Sequence, residues 1–475
     1  METATPAIVY KITGSGTEFT ATKSGATVGT AGQPIQTVIN AIRTDADVAD
    51  CVIHFGDGTD TLNIGTTSAI FNNTGGTWGL VELRGKITSV VPYSSNPPAG
   101  TIVIAGNISV TSTADIANTV NNGYAICPNS TGTLTISGGT VSAPLGYAVR
   151  SDFTSGSGIG RITVSGTAKV TTVDGKLAIY IQKGSLVIEG GTISTSSEKT
   201  DASAVNTIRI DAGPVMISGG TILVSAEKGM GDIYAVCNNS TDAVTISGGT
   251  ISAIGKGIAV ANSNTGTVTI SGGTVQATGT YGLAVRNNST GKITVSGTAH
   301  ITSANTDSTQ GTIYIASDGT ATAERLVITG GRVENTSTTT GNAVYNLSST
   351  GGVTISGGTI SAAAGVAVYN ANTGKITVSG TAHITSANTI STQGTILIAN
   401  NLTATAERLV ITGGRVENTS TTTGNAVYNN STGAVTISGG TVSKAGAGNY
   451  AVYINSTGEV NITSGTIVGN NYRVP

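Results

Sequence analysis

Between residues 85 and 465 the chain returns again and again to one pattern of apolar and hydroxyl-bearing positions, apolar–Thr–apolar–Ser–Gly–Gly–Thr–apolar. The clearest copies are 134–141, 244–251, 268–275, 353–360 and 435–442. The first glycine of each copy falls at 85, 106, 138, 166, 190, 219, 248, 272, 297, 330, 357, 380, 413, 439 and 465. That is 380 residues over 14 intervals, a mean period of about 27. Each period reads as three short strands. The first is of the Ala-Val-Tyr-Asn type (343–346, 367–370, 426–429), the second Val-Thr-Ile-Ser, the third Thr-Val-Ser-Ala. Alternation at period two puts Val and Ile inside and Thr and Ser outside. The paired glycines allow the sharp bend between the second and third strands.

Three strands per period with no helical stretch between them predict a parallel β-helix. A propeller blade needs about 40 residues and four antiparallel strands. About fifteen coils advancing roughly 4.8 Å each make a rod on the order of 70 Å long. The fold class expected is therefore all-β: a single-stranded parallel β-helix (solenoid) of about fifteen three-strand coils. Asn recurs just after the first strand, at Asn238, Asn262, Asn287, Asn346, Asn370 and Asn429, with Asn455 one place later. Stacked coil over coil, these amides are expected to hydrogen-bond along the axis. The alternative is that they only form turns.

An open coil end presents unpaired backbone and needs a cap. Ile35, Val38, Ile39 and Ile42 sit at i, i+3, i+4 and i+7 after Pro34, which predicts an amphipathic capping helix near 34–43. Residues 1–60 are thus read as a cap segment leading into the first coil, and 61–475 as the β-helix. Residues 467–475 resemble the start of another coil and show no cap, so the natural protein is expected to continue. Lys292 to Tyr345 is nearly repeated as Lys375 to Tyr428, an offset of 83 that reads as duplication of a multi-coil block.

This pattern resembles the right-handed parallel β-helices of the pectate-lyase-like class, and more closely the repetitive "TISGGT" secreted or surface proteins of gut-type bacteria. The resemblance covers roughly residues 60–475. It implies the right hand of the coil and an association with carbohydrate. The class holds polysaccharide lyases, glycoside hydrolases, phage tailspikes and inert adhesins, so fold alone does not select an activity.

Composition narrows the classes. Charged residues are 10% of the chain, with 23 basic and 25 acidic. No field strong enough to recruit nucleic acid or an anionic membrane follows. No apolar run reaches membrane-spanning length. The cysteines, Cys51, Cys127 and Cys237, lack metal-ligand spacing and are read as incidental. No cofactor and no metal is expected.

Candidate chemistry lies on the outward positions of the first strands. Coil by coil these are Cys127, Arg150, Tyr180, Arg209, Cys237, Ala261, Arg286, Tyr314, Tyr345, Tyr369, Leu397, Tyr428 and Tyr453. The stripe is Arg-rich early and Tyr-rich late. Exposed Tyr345, Tyr369, Tyr428 and Tyr453, with Tyr180, are expected to stack on sugar rings, while Arg150, Arg209, Asp152 and Asp211 hold hydroxyls or carboxylates. The competing reading is that like residues stack on one another and stabilise the sheet.

Asp152 and Asp211 sit two coils apart, roughly 10 Å by strand spacing, near the separation of an inverting glycosidase pair. Local Arg–Asp surface pairing is the simpler account. His54, His300 and His383 read as solvent-facing strand residues. The Asp57–Asp60 loop and the group Asp45, Asp47 and Asp50 read as turns rather than a Ca²⁺ site.

The function expected is a non-enzymatic secreted or cell-surface adhesin or binding rod whose partner is a glycan or a host or surface protein. No catalytic residue is assigned. The alternatives are a polysaccharide lyase or hydrolase using the Arg150–Arg209 region, and a purely structural spacer.

Overall fold

The computed structural model describes residues 8–46, 49–73, 76–94, 99–129, 131–151, 160–174, 176–198, 204–226, 232–317, 324–399, 406–446 and 448–473, the last three by backbone only. The chain is a parallel β-solenoid of about 14 turns, close to the fifteen counted from the glycines, and among the described residues it holds one short helix. It divides into two compact units, residues 1–232 and 233–475.

The first unit opens with three strands, β1 (Ile8–Ser15), β2 (Glu18–Lys23) and β3 (Ala26–Gln33), paired antiparallel in order. The helix α1 (Ile35–Ala46) follows. It starts directly after Pro34, whose carbonyl accepts from the Thr37 and Val38 amides. Its apolar face, Ile35, Val38, Ile39 and Ile42, is buried. β1 also pairs in parallel with β4 (Cys51–Phe55), which pairs with Val81–Ser89, so coil-type pairing already includes chain that precedes the helix.

The helix caps by more than apolar cover. Among the described residues, strand Ala69–Asn72 has a single strand partner, Ile102–Ala105. On its other side the Gln36 amide stands in for a neighbouring strand. Gln36 Nε2 donates to the Ile70 carbonyl (2.9 Å) and Oε1 accepts from the Ile70 amide (3.0 Å). Arg43 donates to the carbonyl and the side-chain oxygen of Asn72 at 3.2 and 2.9 Å. The backbone groups that would recruit a foreign strand are thereby partly occupied.

Within each unit the first strands stack in parallel, in the first from Ala69–Asn72 through Val205–Ile210, in the second from Ile233–Asn238 through Asn470–Arg473. The second and third strands stack in the same way. They are not always separate. In four coils the glycine pair lies inside one bent strand (Leu326–Asn335, Val353–Ala362, Leu409–Asn418, Val435–Lys444), so the bend bulges the ladder without ending it.

Gly358 shows why no other residue serves there. Its φ is +76°, and a Cβ would lie 2.6 Å from the Gly331 carbonyl of the preceding coil. The coil interior is apolar: Val344, Val368, Ile396 and Val427 align in register with no exposed surface.

The Asn ladder forms, in segments. Asn238 Nδ2 donates to Asn262 Oδ1 (3.0 Å), Asn262 to Asn287 (3.3 Å), and Asn346 to Asn370 (3.1 Å), all fully buried. Each amide also serves its own turn: Asn262 Nδ2 donates to the Gly266 carbonyl, and Asn346 Oδ1 accepts from the Ser348 amide. Ladder and turn are therefore both correct readings. Ile315 and Ile398 occupy the column between the segments. Asn455 does not belong to it. Ile454 takes that place beside Asn429, and Asn455 bonds Asn430 at the exposed surface.

A second set of buried amides lies after the third strands. Asn335 Nδ2 bonds the Asn305 and Asn342 carbonyls, and Asn418 Nδ2 those of Asn388 and Asn425. Arg325 and Arg408 are fully buried as well. Arg325 donates to the Ala316 and Asn287 carbonyls, and Arg408 to that of Asn372. Burial pushes the Arg408 guanidinium down to about 10.

Because Asn262 bonds the coils on both sides, Asn262→Ala orphans buried groups and should cost about 2–3 kcal/mol. Asn455→Ala should cost less than about 0.5 kcal/mol. Denaturant unfolding of the two variants checks the difference; equal losses would contradict a buried ladder.

Candidate ligand-binding face

Strand register settles which outward residues meet. In the second unit the order is Arg286, Tyr314, Tyr345, Tyr369, Leu397, Tyr428 and Tyr453, each opposite the next. Ring centroids are 5.6 Å apart for Tyr314–Tyr345 (stacked), 4.9 Å for Tyr345–Tyr369 (edge-to-face) and 5.2 Å for Tyr428–Tyr453 (stacked). These distances follow from the coil spacing, and each contact is worth about 0.5–1.5 kcal/mol beyond burial.

The expectation that all four tyrosines are exposed is not met. Tyr345 and Tyr428 are only 7% and 3% exposed, while Tyr369 and Tyr453 are half-buried. A second column three residues upstream closes over the first: Val366 packs in one cluster with Leu397 and Tyr428, and Tyr369 and Tyr453 lie against it. At Gly311 and Gly394 that column has no side chain. A Cβ there would sit 3.1 Å from Tyr345 Cβ, or 3.2 Å from Tyr428 Cβ, so both tyrosines approach backbone closely.

In the first unit Arg150 sits opposite Tyr180, which sits opposite Arg209. The Arg150 guanidinium carbon lies 5.1 Å from the ring centroids of Tyr93, Tyr124 and Tyr180 and 5.2 Å from that of Tyr147. Its Nη1 donates to the Tyr124 hydroxyl. Four electron-rich ring faces around one cation make a cage that the protein fills itself. Tyr93, Tyr124 and Tyr147 were missing from the outward stripe. For Tyr124 and Tyr147 the legible signal was the residue three before the stripe position, in Tyr124-Ala-Ile-Cys127 and Tyr147-Ala-Val-Arg150; Tyr93 carries no such mark.

Arg209 Nε donates to Asp211 Oδ1 (2.9 Å), Tyr180 donates its hydroxyl to Asp211 Oδ2, and the Arg209 guanidinium lies 5.9 Å from the Tyr180 ring. Asp152 lies outside the described residues. Arg209 and Asp211 thus form the expected local pair, with Tyr180 added.

The remaining candidates are engaged locally. His300 and His383 meet Glu334 and Glu417 at 3.4 Å, and those carboxylates also pair with Arg332 and Arg415. Asp57 pairs with Lys11, and Asp45 accepts from Tyr10 and Lys23. Asp50 accepts from the Leu80 amide, while Asp47 lies outside the described residues. The three cysteines are buried. Among the described residues no group of three or more His, Cys, Asp or Glu could hold a metal ion. None of their helices is long and apolar enough to cross a membrane.

A groove of about 170 Å³ opens on the second unit's face, with Tyr345, Tyr369 and Val366 among its walls and Ser, Thr, Asn and Gln side chains at its rim. No ionisable Asp, Glu, Lys, Arg or His side chain lines it. Comparison of the chain with family models, curated proteins and solved structures returns no match.

Burial pushes the phenols upward, Tyr180 and Tyr345 each to about 12; the Asp211 carboxylate adds to the rise at Tyr180 and the neighbouring Tyr369 to that at Tyr345. Unfolding returns them to about 10. The folded state therefore binds more protons between those values. The stability they contribute is complete below pH 10 and is lost as pH rises to about 12. Absorbance at 295 nm should show tyrosinate appearing together with loss of β circular dichroism. Full phenol titration near pH 10 in a still-folded chain would contradict this.

Proposed function

We propose that this chain is a non-enzymatic binding protein of the adhesin type, secreted or displayed at a cell surface, which recognises glycan through its tyrosine face. The observation that carries the reading is the column of tyrosines on successive coils of residues 311–454, with half-buried Tyr314, Tyr369 and Tyr453 still presenting ring surface. Rings repeated at the spacing of a sheet suit the apolar faces of sugars better than they suit an acid–base reaction.

The cationic candidates favour the same direction. Arg150 is held by four tyrosines and Arg209 by Asp211, so neither is poised toward an acidic polysaccharide in the manner of a lyase. One observation favours the spacer reading instead. Burial of Tyr345 and Tyr428 makes part of the column a stabilising ladder.

Leu397 shows that the column accepts leucine, so Tyr369→Leu with Tyr453→Leu removes ring surface without a cavity. On a glycan array the parent should bind a defined subset, and the double variant should lose it while still unfolding cooperatively, its melting midpoint lowered only by the lost ring contacts. No binding by the parent would leave the spacer, or a protein-binding adhesin, in place of this reading.

A further inference from the structure

We infer that the groove beside Tyr345 and Tyr369 is a binding site for one uncharged pyranose residue, held open because residue 366 is valine. This rests on the glycan reading above and gives it a location and a ligand class.

The two rings meet at 72° with centroids 4.9 Å apart, forming a corner of one ring face and one ring edge. A pyranose offers such a corner C–H groups on one side and hydroxyls around its rim. Among the described residues no side chain bonds the Tyr345 or Tyr369 hydroxyl. Gln393 Oε1 accepts from Asn388 (2.9 Å), which leaves its Nε2 as a donor. Asn342 Nδ2 is spent on the Ser308 and Gln310 carbonyls, which leaves its Oδ1 as an acceptor. Donor, acceptor and hydroxyls surrounding an aromatic corner match a neutral polyol.

Charge excludes the acidic sugars. With no cation in the lining, a uronate would gain no ion pair. It would also approach Asp307, which precedes the rim residue Ser308 and whose carboxylate already accepts from the Thr309 amide and hydroxyl. An unpaired anion in a half-enclosed groove is costly.

The duplicated block identifies the gate. Tyr428 and Asn425 repeat Tyr345 and Asn342 after 83 residues. The residue opposite Asn342 is Val366. Opposite Asn425, one strand pair further along, Tyr450 Nα bonds the Asn425 side chain and the Tyr450 ring lies 5.5 Å from that of Tyr453. In the second block an aromatic ring therefore stands where valine leaves space in the first.

The test is saturation-transfer NMR and calorimetry on the intact chain. The probes are the methyl glycosides of glucose, galactose, mannose and N-acetylglucosamine, with galacturonate as the acidic comparison. At least one neutral glycoside should bind with one site per chain, ahead of galacturonate. Val366→Tyr, which copies the arrangement at Tyr450, should weaken that binding about tenfold or more. Val366→Tyr should still unfold in one cooperative thermal transition, so that lost binding is not lost folding. Neutral-sugar binding untouched by Val366→Tyr, or preference for galacturonate, would overturn the groove assignment while leaving glycan recognition by the tyrosine face intact. Failure of every probe, together with a blank glycan array, would overturn both.

Discussion

Each coil has its backbone hydrogen-bonded almost entirely by the coils on either side of it, and this single requirement governs the rest of the structure. A strand in this arrangement cannot satisfy its own amides and carbonyls, so every position must tolerate its counterpart one turn away. That is why a glycine pair recurs at the bend, where a Cβ on Gly358 would strike the carbonyl of Gly331. It is why Asn can be buried without penalty in one column, each amide bonding the next. It also explains Gln36, whose side chain supplies to Ile70 the donor and acceptor that a neighbouring strand would otherwise provide.

Columns were legible in the sequence because the period is written into it. Fold class, the capping helix, the Asn column and the order of outward residues all follow from aligning one coil on the next. What alignment could not show was the environment beside a column. Tyr345 and Tyr369 occupy the same place in the repeat, yet one is buried and the other half-buried, because their neighbours three residues upstream differ. The corner between those two columns breaks the period-two rule, which hid Tyr124 and Tyr147 from a reading based on alternation. Arg325 and Arg408 escaped for another reason. In Ala-Glu-Arg-Leu-Val an arginine beside glutamate looks like a solvated loop cation, and only the packed turn reveals that its guanidinium lies among carbonyls.

The outer face differs in kind between the two units. In residues 1–232 its polar chemistry is closed upon itself: one guanidinium satisfies four rings, and one carboxylate takes both an arginine and a phenol. In residues 233–475 the rings have mainly each other, and where a small side chain replaces a large one a concavity with unspent donors and acceptors remains. A surface made of self-complementary columns acquires a recess through a missing contact, with no need for an added loop or domain.

The offset of 83 residues spans three complete coils: His300 lies opposite Arg332, Arg332 opposite Thr359, and Thr359 opposite His383. A segment of that length can be copied or deleted while every column stays in phase, since each new strand finds the same partners the old one had. A copy that ended part-way along a strand would place its side chains against the wrong neighbours, whereas the turns absorb differences in length, as glycine spacings of 21 (85 to 106) and 33 (297 to 330) show. Strand-bearing length is therefore most simply gained or lost in entire turns, as in the duplicated block.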